Sequence, residues 1–170
     1  MLPFFKGIGT YDMLIKATTP LVSDGLIAAV QESIEKVTAQ GIIGTARAPQ
    51  QTGLSLTGTI TLKKKLSADE QTNILNAATA NITDYTNSLD IGEDWIVNEV
   101  VQRVMQVSDD IKNLGSANKP LDSMYIYKDS RLQDNRVRGQ LIGDYAPETD
   151  ERIIVETEEA GNTPILFLIR

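Results

Sequence analysis

The sequence predicts an α+β fold: a two-layer sandwich with a split β-α-β-like core and a β-rich C-terminal extension. Three observations predict it. Residues 54–62 alternate apolar with polar side chains, two longer segments repeat apolar residues at helical spacing, and residues 116–170 hold short apolar runs between turn-forming residues. A period of two gives a strand with one wet and one dry face, and a period near 3.6 gives a helix with one buried stripe. A dry sheet face needs helices to cover it, which makes two layers.

The elements follow in order. Tyr11–Ala17 is short, mostly apolar and preceded by Gly7 and Gly9, so it reads as a strand that Thr18-Thr19-Pro20 closes. Ser23 suits an N-cap and Asp24 the positive end of a helix dipole. Leu26, Ile27, Val30, Ile34 and Val37 then define one buried helix face, with Gly41 as the stop. Thr45–Pro49 reads as a short strand and Gln50–Gly53 as its connector to the next. In that next strand Leu54, Leu56, Ile60 and Leu62 alternate with Ser55, Thr57, Thr59 and Thr61. Gly58 takes an inward position, where the missing side chain admits a neighbour or marks a bulge.

Ser67 and Glu70 form a capping box. Ile74, Leu75, Ala78, Ile82, Tyr85 and Leu89 carry the helix on to a break at Asp90-Ile91-Gly92. Another helix is expected over 93–106, with Trp95, Ile96, Val100, Val104 and Val107 along one side. Ile111–Leu114 is a short strand. Gly115–Asp122 is a turn-rich loop and the best boundary, dividing a core domain, 1–115, from an extension, 116–170. The extension holds strands at Met124–Tyr127, Arg136–Ile142, Ile153–Val155 and Ile165–Ile169. They form either a small sheet of their own or an enlargement of the first.

Composition narrows the chemistry. The 170 residues contain no histidine and no cysteine, which removes the commonest general base, the usual transition-metal ligand and the thiolate nucleophile. The net charge of −7 repels phosphate backbones, so nucleic acid is not an expected partner. No apolar run approaches the ~20 residues of a membrane span, and Met1–Lys6 lacks the basic leader and apolar stretch of a secretory signal. No cofactor and no metal are expected. Asp109-Asp110, the group Glu148, Asp150 and Glu151, and Glu156–Glu159 lack calcium-loop spacing and read as solvated loops or strand ends. Gly7-Ile8-Gly9 precedes a strand instead of following one, so it is no dinucleotide fingerprint. Lys63-Lys64-Lys65 reads as a solvated strand end.

Trp95, the sole tryptophan, suits either the core or an interface anchor. Arg131, Arg136, Arg138 and Arg152 gather positive charge in an acidic chain, either to pair with tail carboxylates or to meet an acidic partner. Trp95, Arg136 and Arg138 are the candidate interface residues.

Four stretches together resemble the baseplate J family of contractile-tail phages. They are Gly7–Ile15, Ser23–Gln31, Ala48-Pro49 followed by the alternating 54–62 strand, and the Ile96–Val107 helix leading into Asp110–Leu114. The likeness covers residues 7–114 and extends more loosely to the tail. Members usually carry further domains ahead of this region, so the resemblance implies either a short member or, as the first expectation, the family's C-terminal region. It implies a non-enzymatic wedge subunit of a tail baseplate, linking tube and sheath to peripheral fibres and transmitting the contraction signal. The implied partners are other wedge and hub proteins and further copies of itself. The implied location is the virion tail, with assembly in the host cytoplasm. On that reading an exposed apolar patch is expected, bordered by the Trp95–Val107 helix or the tail strands. The alternatives are a carboxylate-dependent glycan hydrolase and a small ligand-binding α+β module.

Overall fold

The computed structural model describes residues 9–17, 22–116, 118–129, 136–156 and 164–170. Gly7, Ile8, Thr18–Pro20, Arg131 and Thr157–Glu159 lie outside the described residues, as does the Arg136 side chain. The described elements are β1 (Thr10–Leu14), α1 (Asp24–Val37), β2 (Ile43–Arg47), β3 (Gln50–Leu62), α2 (Ala68–Ser88), α3 (Val97–Met105), β4 (Ile111–Leu114), β5 (Ser123–Asp129), β6 (Arg136–Gln140), β7 (Glu151–Val155) and β8 (Ile165–Ile169). The fold is α+β, with two compact units, 1–50 and 51–170.

In the first unit β1 and β2 pair in parallel, Thr10 opposite Ile43 and Leu14 opposite Arg47, and α1 crosses over between them. Ser23 Oγ accepts from the Leu26 N–H at 3.3 Å, which caps the helix as its sequence predicts. Ile15, Ile34 and Ala46 form a small core, with Val22, Ile27 and Val30 packed against it. The expected buried face of α1 is mostly not buried: Ile34 alone among its residues is, whereas Leu26 and Val37 are exposed. A two-stranded sheet is too narrow to cover a fourteen-residue helix.

The second unit is organised on β3. This strand pairs with β5 and β4 antiparallel and with β8 in parallel, and it also pairs with β7; β6 extends the sheet beyond β5. Leu54, Leu56 and Ile60 point to one face, as their alternation requires. They pack with Ile74, Ala78 and Ile82 of α2 and with Val100 and Val104 of α3 in one hydrophobic cluster. Gly58 lies on that same face. A Cβ there would stand 3.1 Å from the Phe167 ring and 3.2 Å from Leu114 Cδ1, so the absent side chain admits its neighbours. Strand β3 begins at Gln50, so the segment expected to be a connector is ladder. The turn at 115–122 lies within the second unit, and the strands after it join the β3 sheet.

Helix α2 starts at the capping box: the Ser67 hydroxyl accepts from Glu70 N–H, and the Glu70 carboxylate accepts from Ser67 N–H at 2.8 Å. Helix α3 starts at Val97, later than the expected 93, because Trp95 is drawn into a backbone bridge with Tyr145.

Gly58→Val should crowd Phe167 and Leu114 and lower stability by about 1–3 kcal/mol. Urea denaturation should show the midpoint falling with little change in slope.

Candidate functional site

The strongest polar constellation surrounds Glu151, the first residue of β7, which is 1% exposed. Thr52 on β3 donates its hydroxyl to Glu151 Oε1, and Tyr145 donates to the same oxygen at 2.7 Å. Glu151 Oε2 accepts from the Glu148 N–H at 3.0 Å and from Lys128 Nζ on β5 at 3.2 Å. Sheet register explains the meeting, because Thr52 stands opposite Lys128. The Lys128 ammonium also lies 5.3 Å from the centre of the Tyr145 ring.

Burial pushes the Glu151 carboxyl up, but the hydrogen bonds from Thr52, Tyr145 and Glu148 and the Lys128 charge outweigh it and hold the group below its ordinary value. Burial pulls Lys128 down, yet Tyr145 and Glu151 together raise it. Burial raises the Tyr145 phenol, so it stays protonated and donates. Every one of these groups is thus held in the form that binds its neighbours.

The same strand and the residues flanking it bury more charge. Asp150, Arg152 and Glu156 are each about as inaccessible as Glu151. Arg152 Nη2 donates to the Asn87 carbonyl on α2 at 3.1 Å, and Asn87 Oδ1 accepts from Val155 N–H at 3.1 Å. Burial lowers the Arg152 guanidinium, with the Asp90 carboxylate opposing that shift. The Glu156 carboxylate occupies the space that a side chain on Gly53 would need. The expectation of solvated acidic loops or strand ends is therefore corrected for Asp150, Glu151 and Glu156. No local spacing marks the burial of Glu151, because Thr52 and Lys128 lie far from it in the sequence.

Trp95 is 0% exposed; its indole N–H donates to Thr86 Oγ1 at 3.3 Å, and its backbone exchanges two 2.9 Å hydrogen bonds with Tyr145. It belongs to the core and offers a partner no surface in this fold. Arg138 is exposed on β6 with its guanidinium 3.7 Å above the centre of the Tyr125 ring and 6.0 Å from that of Tyr127. The cation–π contacts hold it ready as a flat cationic surface. Arg136 contributes its backbone to β6, opposite Asp129. Trp95 and Arg138 therefore do not form one site.

A groove of about 540 Å³ runs beside the start of α3, lined by Val97, Asn98, Asp122, Gln140 and Asp144 among others. Asp144 Oδ1 accepts from the Val97 N–H at 2.7 Å, so a distant loop caps a helix that has no side-chain cap of its own. Asp122 Oδ2 accepts from the Thr59 hydroxyl at 2.7 Å. Among the described residues no group of three acidic side chains is placed to hold a metal ion, and no helix is long and apolar enough to cross a membrane.

Exposed apolar side chains complete the surface. Leu166 and Leu168 on β8, Ile142 after β6 and Ile96 before α3 lie near the elements the sequence pointed to. The first unit adds Tyr11, Met13, Leu26, Val37, Ile42 and Ile43, which the reading of α1 as a helix with a buried face does not anticipate.

No protein-family model matches the chain, and no curated protein matches it.

Glu151→Gln should cost about 2–4 kcal/mol, because it strips a partly buried lysine of its counter-charge. The contribution of a lowered carboxylate is complete above its ordinary value of 4.5 and is lost as pH falls through the folded value. The gap between wild type and variant in denaturant titrations should therefore narrow as pH drops below 4.5. Asp144→Ala removes the cap of α3 and should cost about 1 kcal/mol, read as a lower thermal midpoint.

Proposed function

We propose that the chain is a structural subunit of a contractile-tail baseplate, a wedge protein that works through protein–protein contacts. Its partners on this reading are other wedge and hub proteins and further copies of itself. The ordered resemblance over residues 7–114 motivates the reading. The observation that carries it is where the chemistry lies. The buried Glu151 carboxylate is satisfied by Thr52, Tyr145, Lys128 and the Glu148 backbone, whereas the described side chains left to solvent include ten large apolar ones and the stacked Arg138. Internal polar locking and free apolar surface suit a part that must hold its shape and join others.

A second reading, a glycan hydrolase, is favoured by one observation: Asp122 and Asp144 line the same groove. Each already accepts a hydrogen bond that holds the fold, Asp122 from Thr59 and Asp144 from the start of α3. That gives both a structural task. The first reading is preferred for this reason.

Mass photometry of the chain mixed with candidate wedge subunits should give discrete complexes of fixed stoichiometry. Indifference to every wedge subunit would count against the baseplate reading. A cleared zone on peptidoglycan zymography that vanishes in Asp122→Asn would instead establish the hydrolase.

A further inference from the structure

We infer that β6 is a docking edge for an extended acidic segment of a partner protein, which adds to the sheet as a further strand and sets a carboxylate on the Arg138 guanidinium. The inference rests on the assembly reading above and names the chemistry of one contact within it.

The first observation is the direction of the backbone groups. Strand β6 ends the order β4-β3-β5-β6, and among the described residues β5 is its one neighbour. The Leu141 N–H donates to the Met124 carbonyl at 2.9 Å, and the register then runs unbroken from Gln140 opposite Tyr125 to Arg136 opposite Asp129. Antiparallel bonds join alternate opposite pairs. Val137 and Gly139 therefore bond to β5, while Arg138 and Gln140 turn their N–H and C=O groups outward. The rest of the sheet keeps this alternation. The Leu56 N–H bonds to Pro164 and the Leu54 carbonyl to Glu156, both on the side of β3 away from β5. Among the described residues nothing bonds to the outward backbone groups of Arg138 and Gln140. Open donors and acceptors along an edge are what an added strand pairs with.

The second is a cation without a counter-charge. Among the described residues three cations lie over tyrosine rings. Arg103, 4.6 Å from the centre of the Tyr85 ring, has the Glu99 carboxylate at 3.7 Å. Lys128, beside Tyr145, has Glu151 at 3.2 Å. Arg138, stacked on Tyr125, meets no carboxylate among the described residues. Stacking occupies one flat side of the guanidinium and leaves the N–H fork in its plane to bind a carboxylate.

The third is complementarity, which selects the occupant. In a strand added opposite Arg138, the facing side chain falls on the same side of the sheet as the guanidinium. A carboxylate there completes the ion pair. An acceptor two residues away meets Gln140, which shares that face and is exposed. An apolar segment would cover the guanidinium without pairing it, and a basic one is repelled. A second β6 laid antiparallel about Arg138 sets arginine against arginine, so the edge rejects its own copy. The charge that guards the edge against like strands thus admits an acidic one. The chain's net −7 opposes that approach at long range, but at about 0.15 M salt the field is screened within about 8 Å and the contact pair decides.

A labelled synthetic peptide of alternating glutamate and threonine, with blocked termini, tests this by fluorescence anisotropy against the full chain at about 0.15 M salt. Saturable binding is expected below about 1 mM. Arg138→Glu should weaken it at least about tenfold with an unchanged circular dichroism spectrum, because the side chain is exposed. A peptide with lysine in place of glutamate should bind Arg138→Glu better than it binds the wild type. The glutamate peptide N-methylated at alternate amides, on the edge that faces β6, should not bind. With the unmodified peptide present, the Arg138 and Gln140 amides should exchange more slowly, while Gly139, already bonded to β5, should be unaltered. Three results would each overturn the inference: no binding up to about 1 mM, equal binding by Arg138→Glu, or equal binding of the N-methylated peptide. A wild type that binds no acidic peptide, and joins wedge subunits just as Arg138→Glu does, defeats this inference and leaves the baseplate reading standing. Peptide binding through Arg138 by a chain that ignores every wedge subunit supports the docking edge and defeats the baseplate reading.

Discussion

A carboxylate shut away from water must find hydrogen bonds, or its burial costs several kcal/mol. Glu151 meets that demand with Thr52, Tyr145, Lys128 and the Glu148 backbone, drawn from β3, β5 and the loop before β7. Its own carbonyl accepts from the Gly92 N–H, which ties in the turn after α2. The rest of the second unit depends on this convergence. With Tyr145 fixed, its backbone holds Trp95; with the same loop fixed, Asp144 reaches the start of α3; and α3 in turn seats Val100 and Val104 in the core. One buried acid thus relates the polar side of the unit to its apolar side.

Much of this architecture is legible in the sequence. The alternation at 54–62, the capping box at Ser67 and Glu70, the cap at Ser23 and the short apolar runs after residue 122 all express local rules, and the elements appear where those rules place them. What stayed hidden depends on partners distant in sequence. Glu151 and Arg152 look like surface residues because nothing within a few positions of them announces Thr52, Lys128 or Asn87. The later start of α3 is the same kind of event, since a bridge to Tyr145 takes Trp95 away from a helical pattern. The apolar stripe of α1 was legible as a helix, but its burial was not, because periodicity records which side is apolar and not what stands against it.

The surface of the candidate interface was only partly legible. Arg138 is exposed and stacked on Tyr125, whereas Trp95 is core. Tryptophan is enriched both at hot spots and among buried side chains, so residue type alone does not separate the two. The apolar residues that do reach solvent are aliphatic, and many of them belong to the charge-balanced first unit. The distribution is uneven: the net −7 and the buried polar contacts around Glu151 lie in residues 51–170, while six of the exposed large apolar side chains lie in residues 9–50.

The convergence on Glu151 is the central claim, and hydrogen exchange of the wild-type chain and of Glu151→Gln tests it most directly. The account predicts that the amides of residues 145–155 and 92–100 are protected in the wild type and lose protection together in the variant, while those of residues 24–37 are unaltered. Faster exchange in the variant confined to residue 151, with 92–100 as protected as in the wild type, would contradict it.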